Sequence, residues 1–259
     1  MIRRLVATLG LLAAGNCFAD SITLNGVSGS NSASVTFNFA TSSILQVTLS
    51  NTTIAGATSA NDVLTGLYFS APGLTFTPMS AKVSTSANIQ NCPGCAAGVT
   101  NISGEWQYSP GVQNLIAGNP AFVLSAANFG YGGSRIGSTN LAGTTGVGGI
   151  DFGIVSPTTS FGQAAFTGSA LVTQSVVFTM TTSQPGNASM IGLSGFLWGL
   201  QTPGTMLGAE LQHGGGGGVP EPGTFVLLGG ALIAIGLWRR KASAVGQVSR
   251  PAAGSPDPA

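Results

Sequence analysis

Near the C-terminus an apolar run ends directly at three cations. From Thr224 to Trp238 no side chain is charged, and Arg239, Arg240 and Lys241 follow without a gap. As a helix these fifteen residues span about 22 Å, which is short against a hydrocarbon core of about 30 Å. A buried helix of a soluble domain is the alternative, but the run has no polar face and a basic end. We therefore predict one short transmembrane helix with a cytoplasmic stop.

A proline-rich leader, Val219-Pro220-Glu221-Pro222, stands just before the apolar run. Proline fixes its own φ and disfavours the helical region for the residue before it, so the leader is expected to be extended. Glu221 is then displayed just outside the bilayer, in a form that an enzyme can bind.

The Pro220-Glu221-Pro222 motif, the apolar run and the basic cluster together resemble the PEP-CTERM sorting signal, here residues 219–241. The resemblance covers about the last forty residues. It implies a substrate of an exosortase, a membrane transpeptidase-like enzyme that removes such tails from surface proteins of Gram-negative bacteria. One departure is the tail of residues 242–259, which we expect to be cytoplasmic and disordered. The family usually stops sooner, so the efficiency of processing stays open.

The N-terminus, residues 1–19, has the pattern of a Sec signal peptide. Two arginines precede a short apolar run, and the small residue Ala19 precedes Asp20. We predict passage through the Sec translocon and cleavage by signal peptidase between Ala19 and Asp20. A lipoprotein signal is the alternative, with Cys17 carrying the lipid, but Asn16 stands where a small residue is expected.

Cations are nearly absent between the two apolar segments. From residue 20 to 218 only Lys82 and Arg135 are basic, and with five carboxylates they leave a formal charge of −3. This follows the positive-inside rule if the body crosses the membrane. It also excludes nucleic acid as a partner, because a binding surface needs clustered cations. We expect an inner-membrane-anchored precursor with its body in the periplasm, which then reaches the cell surface or the medium.

The body, residues 20–213, is long enough for one domain and places apolar residues at alternate positions. Residues 35–39 and 45–49 show this period of two, which is typical of half-buried strands. Further strands are predicted at 63–69, 74–77, 105–108, 121–124, 171–180 and 191–198. Turn-forming residues separate them near 51, 56, 72–73, 91–94, 118–120 and 185–187.

No window of the body has a 3.6-residue amphipathic pattern, so helices should be few and short. The predicted fold is mainly β, an antiparallel β-sandwich-like domain followed by a glycine linker, residues 214–218. A loosely folded, low-complexity chain is the alternative, favoured by the glycine-rich residues 130–149. The apolar content and low charge of the body argue against it.

Two cysteines remain once the signal is removed, in Cys92-Pro93-Gly94-Cys95. In an oxidising periplasm this pair is predicted to form a structural disulfide. A redox-active pair would need a thiol at a helix N-terminus, and the flanking residues show no strand-to-helix pattern. Zinc would need two more Cys or His ligands nearby, so we expect no metal site.

Catalytic residues and cofactors are not expected. The one histidine, His213, adjoins the glycine linker, so Ser-His-Asp and Cys-His arrangements lack a positioned base. The carboxylates Asp62, Glu105, Asp151 and Glu210 share no motif, and Asp151 alone is weak evidence for calcium. We therefore expect a protein that is not an enzyme.

Aromatic residues at strand positions predict a core, with a carbohydrate-stacking platform as the alternative. They are Phe37, Phe39, Tyr68, Phe69, Phe76, Trp106, Tyr108, Phe178, Phe196 and Trp198. The resemblance implies a non-enzymatic surface or matrix protein connected with exopolysaccharide or biofilm. A secreted carbohydrate-binding or polysaccharide-active module with the same sorting signal is the second hypothesis.

Overall fold

The computed structural model describes residues 20–199, except 117–118, 127–132, 139–140, 142–149, 162–165, 167 and 193. The predicted signal peptide, glycine linker, sorting signal and tail lie outside these residues, as do Glu210 and His213. Within them no helix is both long and apolar enough to cross a membrane.

The described residues form thirteen strands. They are β1 (Asp20–Ser28), β2 (Asn31–Thr41), β3 (Ile44–Asn51), β4 (Leu64–Phe69), β5 (Phe76–Lys82), β6 (Ile89–Gln90), β7 (Gln107–Ile116), β8 (Asn119–Ser125), β9 (Ser134–Arg135), β10 (Ile154–Val155), β11 (Leu171–Thr173), β12 (Ser175–Thr182) and β13 (Ser194–Trp198). Helical structure in the same residues consists of three-residue 3-10 turns such as Ala60–Asp62 and Ser103–Glu105. The expectation of few and short helices is confirmed for this part of the chain.

Two sheets are built from these strands. The first has five strands in the order β1-β2-β3-β12-β5, and every pair is antiparallel. The second has eight strands in the order β6-β11-β10-β4-β8-β7-β9, with β13 also paired to β4. Its one parallel pair is β10 with β11. The predicted mainly β, antiparallel fold is confirmed.

The core lies where inward side chains of both sheets meet. Along β2 and β3 every second residue is buried, as the alternation in the sequence predicts. The rings of Phe37 in β2 and Phe69 in β4 are 5.1 Å apart, and those of Trp106 and Phe178 are 4.8 Å apart. One hydrophobic cluster therefore joins the two sheets.

Strand β4 is buried along its whole length, and β8 and β13 pair with it on its two sides. A Cβ at Gly66 would lie 2.6 Å from the carbonyl oxygen of Leu124 and 2.9 Å from Cδ1 of Leu197. Glycine is therefore required at the centre of β4 for its neighbours to approach. The largely apolar segment of residues 63–69, in which the buried Thr65 donates its hydroxyl to backbone carbonyls, is the sequence counterpart of this burial.

The predicted strand 171–180 is in fact two strands that belong to different sheets. Gln174 lies between β11 and β12 with a φ of +77°, a conformation that is uncommon for a residue with a side chain. The chain leaves the eight-stranded sheet there and enters the five-stranded one. Thr173, Gln174 and Ser175 interrupt the apolar residues of this segment, but three polar residues in a row do not by themselves show that the chain crosses between sheets.

Other boundaries differ from the predictions as well. The predicted strand 74–77 is wrong at its start, since Leu74 lies in a turn and donates its N–H to the carbonyl of Ala71. The segment 105–108 begins in a 3-10 turn, and β7 begins only at Gln107. The turn predicted at 118–120 is wrong at Pro120, which lies in β8 where the register with β7 is irregular.

We predict that Phe69→Ala lowers the free energy of unfolding by about 3–5 kcal/mol. Phe69 is fully buried, and its ring lies 5.1 Å from Phe37, 5.7 Å from Phe76 and 5.5 Å from Phe122. Denaturant unfolding of the purified exported protein measures the loss. The control, Ile54→Ala, truncates a side chain that is 92% exposed and should change the stability by less than about 0.5 kcal/mol. Similar values for both variants would contradict this core.

Candidate functional site

Of the residues predicted to carry sorting and export, the structure describes one, Asp20 at the predicted signal peptidase site. Asp20 is the first residue of β1 and pairs with Phe39 of β2. Its carboxylate accepts a hydrogen bond of 2.6 Å from the backbone N–H of Ala188. The motif Pro220-Glu221-Pro222 and the cations Arg239, Arg240 and Lys241 lie outside the described residues.

Cys92 and Cys95 form the predicted disulfide, with their Cα atoms 5.3 Å apart. The pair lies between β6 and β7, and the N–H of Cys95 donates to the carbonyl of Cys92 at 3.1 Å. Both cysteines are partly buried against the core cluster. Turns rather than a helix follow in residues 96–100, so neither cysteine lies at a helix N-terminus, and the disulfide closes the loop where it packs against the core.

Asp151 shares a pocket of about 80 Å³ with the disulfide loop, lined also by Asn91, Cys92 and Ala170. Burial raises the pKa of the Asp151 carboxyl, and hydrogen bonds from the Ser169 hydroxyl and the Ala170 backbone oppose the rise. Its Oδ1 is buried and has no hydrogen-bond partner among the described residues. In these same residues no three Asp, Glu, His or Cys side chains gather as a metal site would require.

The pKa of the Asp62 carboxyl shifts in the opposite direction to that of Asp151. Burial acts to raise the pKa of its carboxyl, but hydrogen bonds from Thr58 and Ser59 outweigh burial and lower it. Oδ2 accepts the backbone N–H of each residue at 2.9 Å and each hydroxyl at 3.1 Å. The charged carboxylate therefore holds the turn that leads into β4, beside a pocket of about 120 Å³.

Glu105 is the third described carboxylate that the sequence offered as a candidate. It is 3% exposed and accepts the backbone N–H of Leu141. Asp62 and Asp151 line separate pockets, and Glu105 lines neither of them. The structure thus does not bring these carboxylates together into a pair.

The ten aromatic residues that were candidates for carbohydrate stacking are all buried. None is more than 8% exposed, and Phe37, Phe69, Trp106 and Phe178 are fully buried. Their prediction as core residues is confirmed. A stacking platform made from these rings is wrong, because a sugar needs an accessible ring face.

The exposed face of the five-stranded sheet presents mainly uncharged polar side chains, with Val177 of β12 and Lys82 of β5 among the exceptions. Thr23, Thr36 and Thr48 lie side by side on β1, β2 and β3, and the hydroxyls of Thr23 and Thr36 are 2.8 Å apart. A neighbouring row contains Ser21, Asn38, Gln46, Thr179 and Ser80. We call these two rows the polar face. The alternating polar residues of β2 and β3 signal it in the sequence, but the register that aligns them does not follow from alternation.

Comparison with protein families gives one match, at the other end of the chain from β1. Residues 218–241 match the PEP-CTERM protein-sorting motif, which confirms the resemblance. The motif marks the chain as an exported protein that is directed to an exosortase and processed at the membrane. No curated protein and no solved structure matches the chain.

Asp62→Ala should lower the free energy of unfolding at pH 7 by about 1 kcal/mol, as loss of a helix-cap acceptor does. Because the pKa of Asp62 is lowered on folding, its stabilisation is present above about pH 4 and is lost as the pH falls through the folded-state pKa. Denaturant unfolding of both proteins between pH 7 and pH 3 tests this. The difference should shrink at the acid end, and a difference that does not vary with pH would show that the charge is not the cause.

Proposed function

We propose that this chain is a non-enzymatic protein of the cell surface or extracellular matrix, sorted by an exosortase and connected with exopolysaccharide or biofilm. The observation that carries the proposal is the PEP-CTERM motif at residues 218–241. Within it, Pro220-Glu221-Pro222 is the segment that the exosortase recognises. Arg239, Arg240 and Lys241 hold the apolar run in the membrane until processing.

Export begins at the other end of the chain. The Sec translocon carries the body across the inner membrane, and signal peptidase cleaves between Ala19 and Asp20. The precursor is then anchored by its C-terminal segment with the body in the periplasm. Cleavage by the exosortase passes the body to the surface or the medium. Asp20 pairs with Phe39 of β2 and accepts the N–H of Ala188, so the residue after the predicted cleavage site is part of the folded body, which supports this scheme.

The body contributes binding rather than chemistry in this proposal. Its polar face presents hydroxyl and amide groups, with the cation Lys82 at the end of one row, and these groups suit the hydroxyl groups of a polysaccharide. The described carboxylates are separate from each other, and each of Asp62 and Glu105 is engaged by backbone N–H groups. These contacts support a role for the carboxylates in the fold.

A carbohydrate-binding module with the same sorting signal is the second candidate. A pocket of about 280 Å³ favours it, lined by Pro72, Leu74, Pro120, Phe122 and the polar residue Ser70. Apolar walls with a few polar groups are typical of small-molecule sites. Binding of soluble oligosaccharides in this pocket would distinguish this candidate from a matrix protein that binds through its polar face.

Glu221→Ala should abolish processing in a Gram-negative host with an active exosortase. The chain is given one tag in the body and one at the C-terminus, and both are followed by immunoblotting of membrane and medium. The native chain should separate its two tags, whereas the variant should stay in the membrane as one polypeptide. Glu210→Ala, an acidic residue before the glycine linker, is the matched control and should be processed like the native chain.

Two results would contradict the sorting proposal. One is release of the body from Glu221→Ala at the native rate. The other is retention of both tags on one membrane polypeptide when the native chain and the exosortase are present together.

A further inference from the structure

The five-stranded sheet has two outer strands, β1 and β5, and they differ in protection against pairing with another chain. Strand β5 contains Pro78, ends at Lys82 and has a register shift against β12 at Thr179 and Met180. Proline, lysine and bulges are the features by which natural proteins block edge strands. The β5 edge is therefore blocked.

Strand β1 has none of these features. Its nine residues include no proline and no cation, and they pair with β2 from end to end without a register shift. The single charge is Asp20 at its first residue, and that carboxylate is occupied by the N–H of Ala188. Among the described residues, no backbone hydrogen bond joins β1 to a strand other than β2. Strand β1 is thus a long, regular and unblocked edge.

The hairpin geometry shows which backbone groups face this edge. A two-residue loop joins β1 to β2, with Gly29 at a φ of +61° and with Ser28 paired to Asn31. The pair that closes such a loop is hydrogen-bonded, and hydrogen-bonded pairs alternate along an antiparallel ladder. Even-numbered residues of β1 therefore direct their N–H and C=O groups to β2. The odd-numbered residues direct theirs to the open edge: Ser21, Thr23, Asn25 and Val27.

We propose that β1 pairs antiparallel with β1 of a second copy of this chain, about a two-fold axis at Leu24. This register pairs all nine residues. Thr23 then faces Asn25 of the second copy and Ser21 faces Val27, so every odd-numbered residue lies in a hydrogen-bonded pair. About eight backbone hydrogen bonds form, and the two five-stranded sheets become one continuous sheet.

The side chains of β1 are compatible with a second copy of themselves. On the core side Ile22 faces Gly26, and Leu24 faces Leu24, so a large residue meets a small one on both sides of the axis. Asp20 faces Ser28, which places the two carboxylates about 27 Å apart at 3.4 Å per residue. No like charges meet. A slip by one residue would break the match of inward and outward side chains.

A second copy is also the occupant that anchoring in one membrane favours. One pair of strands buries less than the roughly 1,200 Å² of a stable complex, so the dimer is weak in dilute solution. Copies anchored side by side in one membrane have a high effective concentration, which compensates for a weak contact. The pairing does not depend on exosortase cleavage, because β1 and the sorting motif are separate parts of the chain.

Cysteine cross-linking of the full-length chain in the host membrane tests the pairing. Thr23→Cys and Asn25→Cys are expressed together on differently tagged copies, and an oxidant is added. We expect a disulfide dimer carrying both tags, at least about 5-fold more abundant than the dimer of Thr77→Cys, an exposed residue of the blocked β5 edge. A mixed-tag dimer no more abundant than that of Thr77→Cys would overturn the proposal.

Ser21→Lys/Val27→Lys tests the register, because it places lysine opposite lysine on both sides of the axis. Cross-linking of the same cysteine pair should fall at least about 10-fold. Thr77→Lys/Met79→Lys adds equal charge to exposed positions of β5 and should leave it unchanged. Full cross-linking in Ser21→Lys/Val27→Lys would overturn the proposal.

A second variant distinguishes loss of pairing at the β1 edge from misfolding of the body. Thr23→Pro removes one edge-facing N–H and leaves the bonds to β2 in place. Proteolysis of the body and an intact Cys92–Cys95 disulfide confirm folding. Cysteines at the facing positions 21 and 27, Ser21→Cys on one copy and Val27→Cys on the other, should then cross-link poorly when both copies carry Thr23→Pro. If the folded Thr23→Pro variant cross-links as well as the chain with Thr23, the pairing is wrong.

Discussion

Aromatic contacts between the two sheets are the interaction on which the body depends. Phe37 meets Phe69, and Trp106 meets Phe178, so each sheet contributes rings that the other covers. The body has too few charges to form ion-pair networks, and burial of apolar surface therefore supplies most of the stability. This use of the aromatic residues also leaves their faces inaccessible to a ligand.

Some of this fold is predictable from sequence, where one physical rule acts alone. Alternation gives β2 and β3, a largely apolar segment gives β4, and the spacing of Cys92 and Cys95 gives the disulfide. The rest depends on contacts between distant segments. The apolar residues on both sides of Gln174 predict a single strand, whereas the backbone crosses between sheets there. Residues 20–28 also alternate, but they adjoin the predicted cleavage site, and no strand is predicted there.

The sequence also reveals the function of some segments of the chain and not of others. The sorting motif is readable from a short segment, because proline geometry, membrane thickness and cation placement act locally. The surfaces of the body are not readable in this way, since the polar face exists only when β1, β2 and β3 are in register. In our proposal the polar face and the β1 edge are the recognition surfaces of the body, while the matched C-terminal motif directs sorting.

We propose that the mature protein is a β-rich body without its two apolar ends. Intact-mass spectrometry of the protein recovered from the surface or medium of an exosortase-active host measures this. We expect a mass that corresponds to a chain beginning at Asp20 and lacking the apolar run of residues 224–238. A recovered mass that includes residues 224–238 would contradict it.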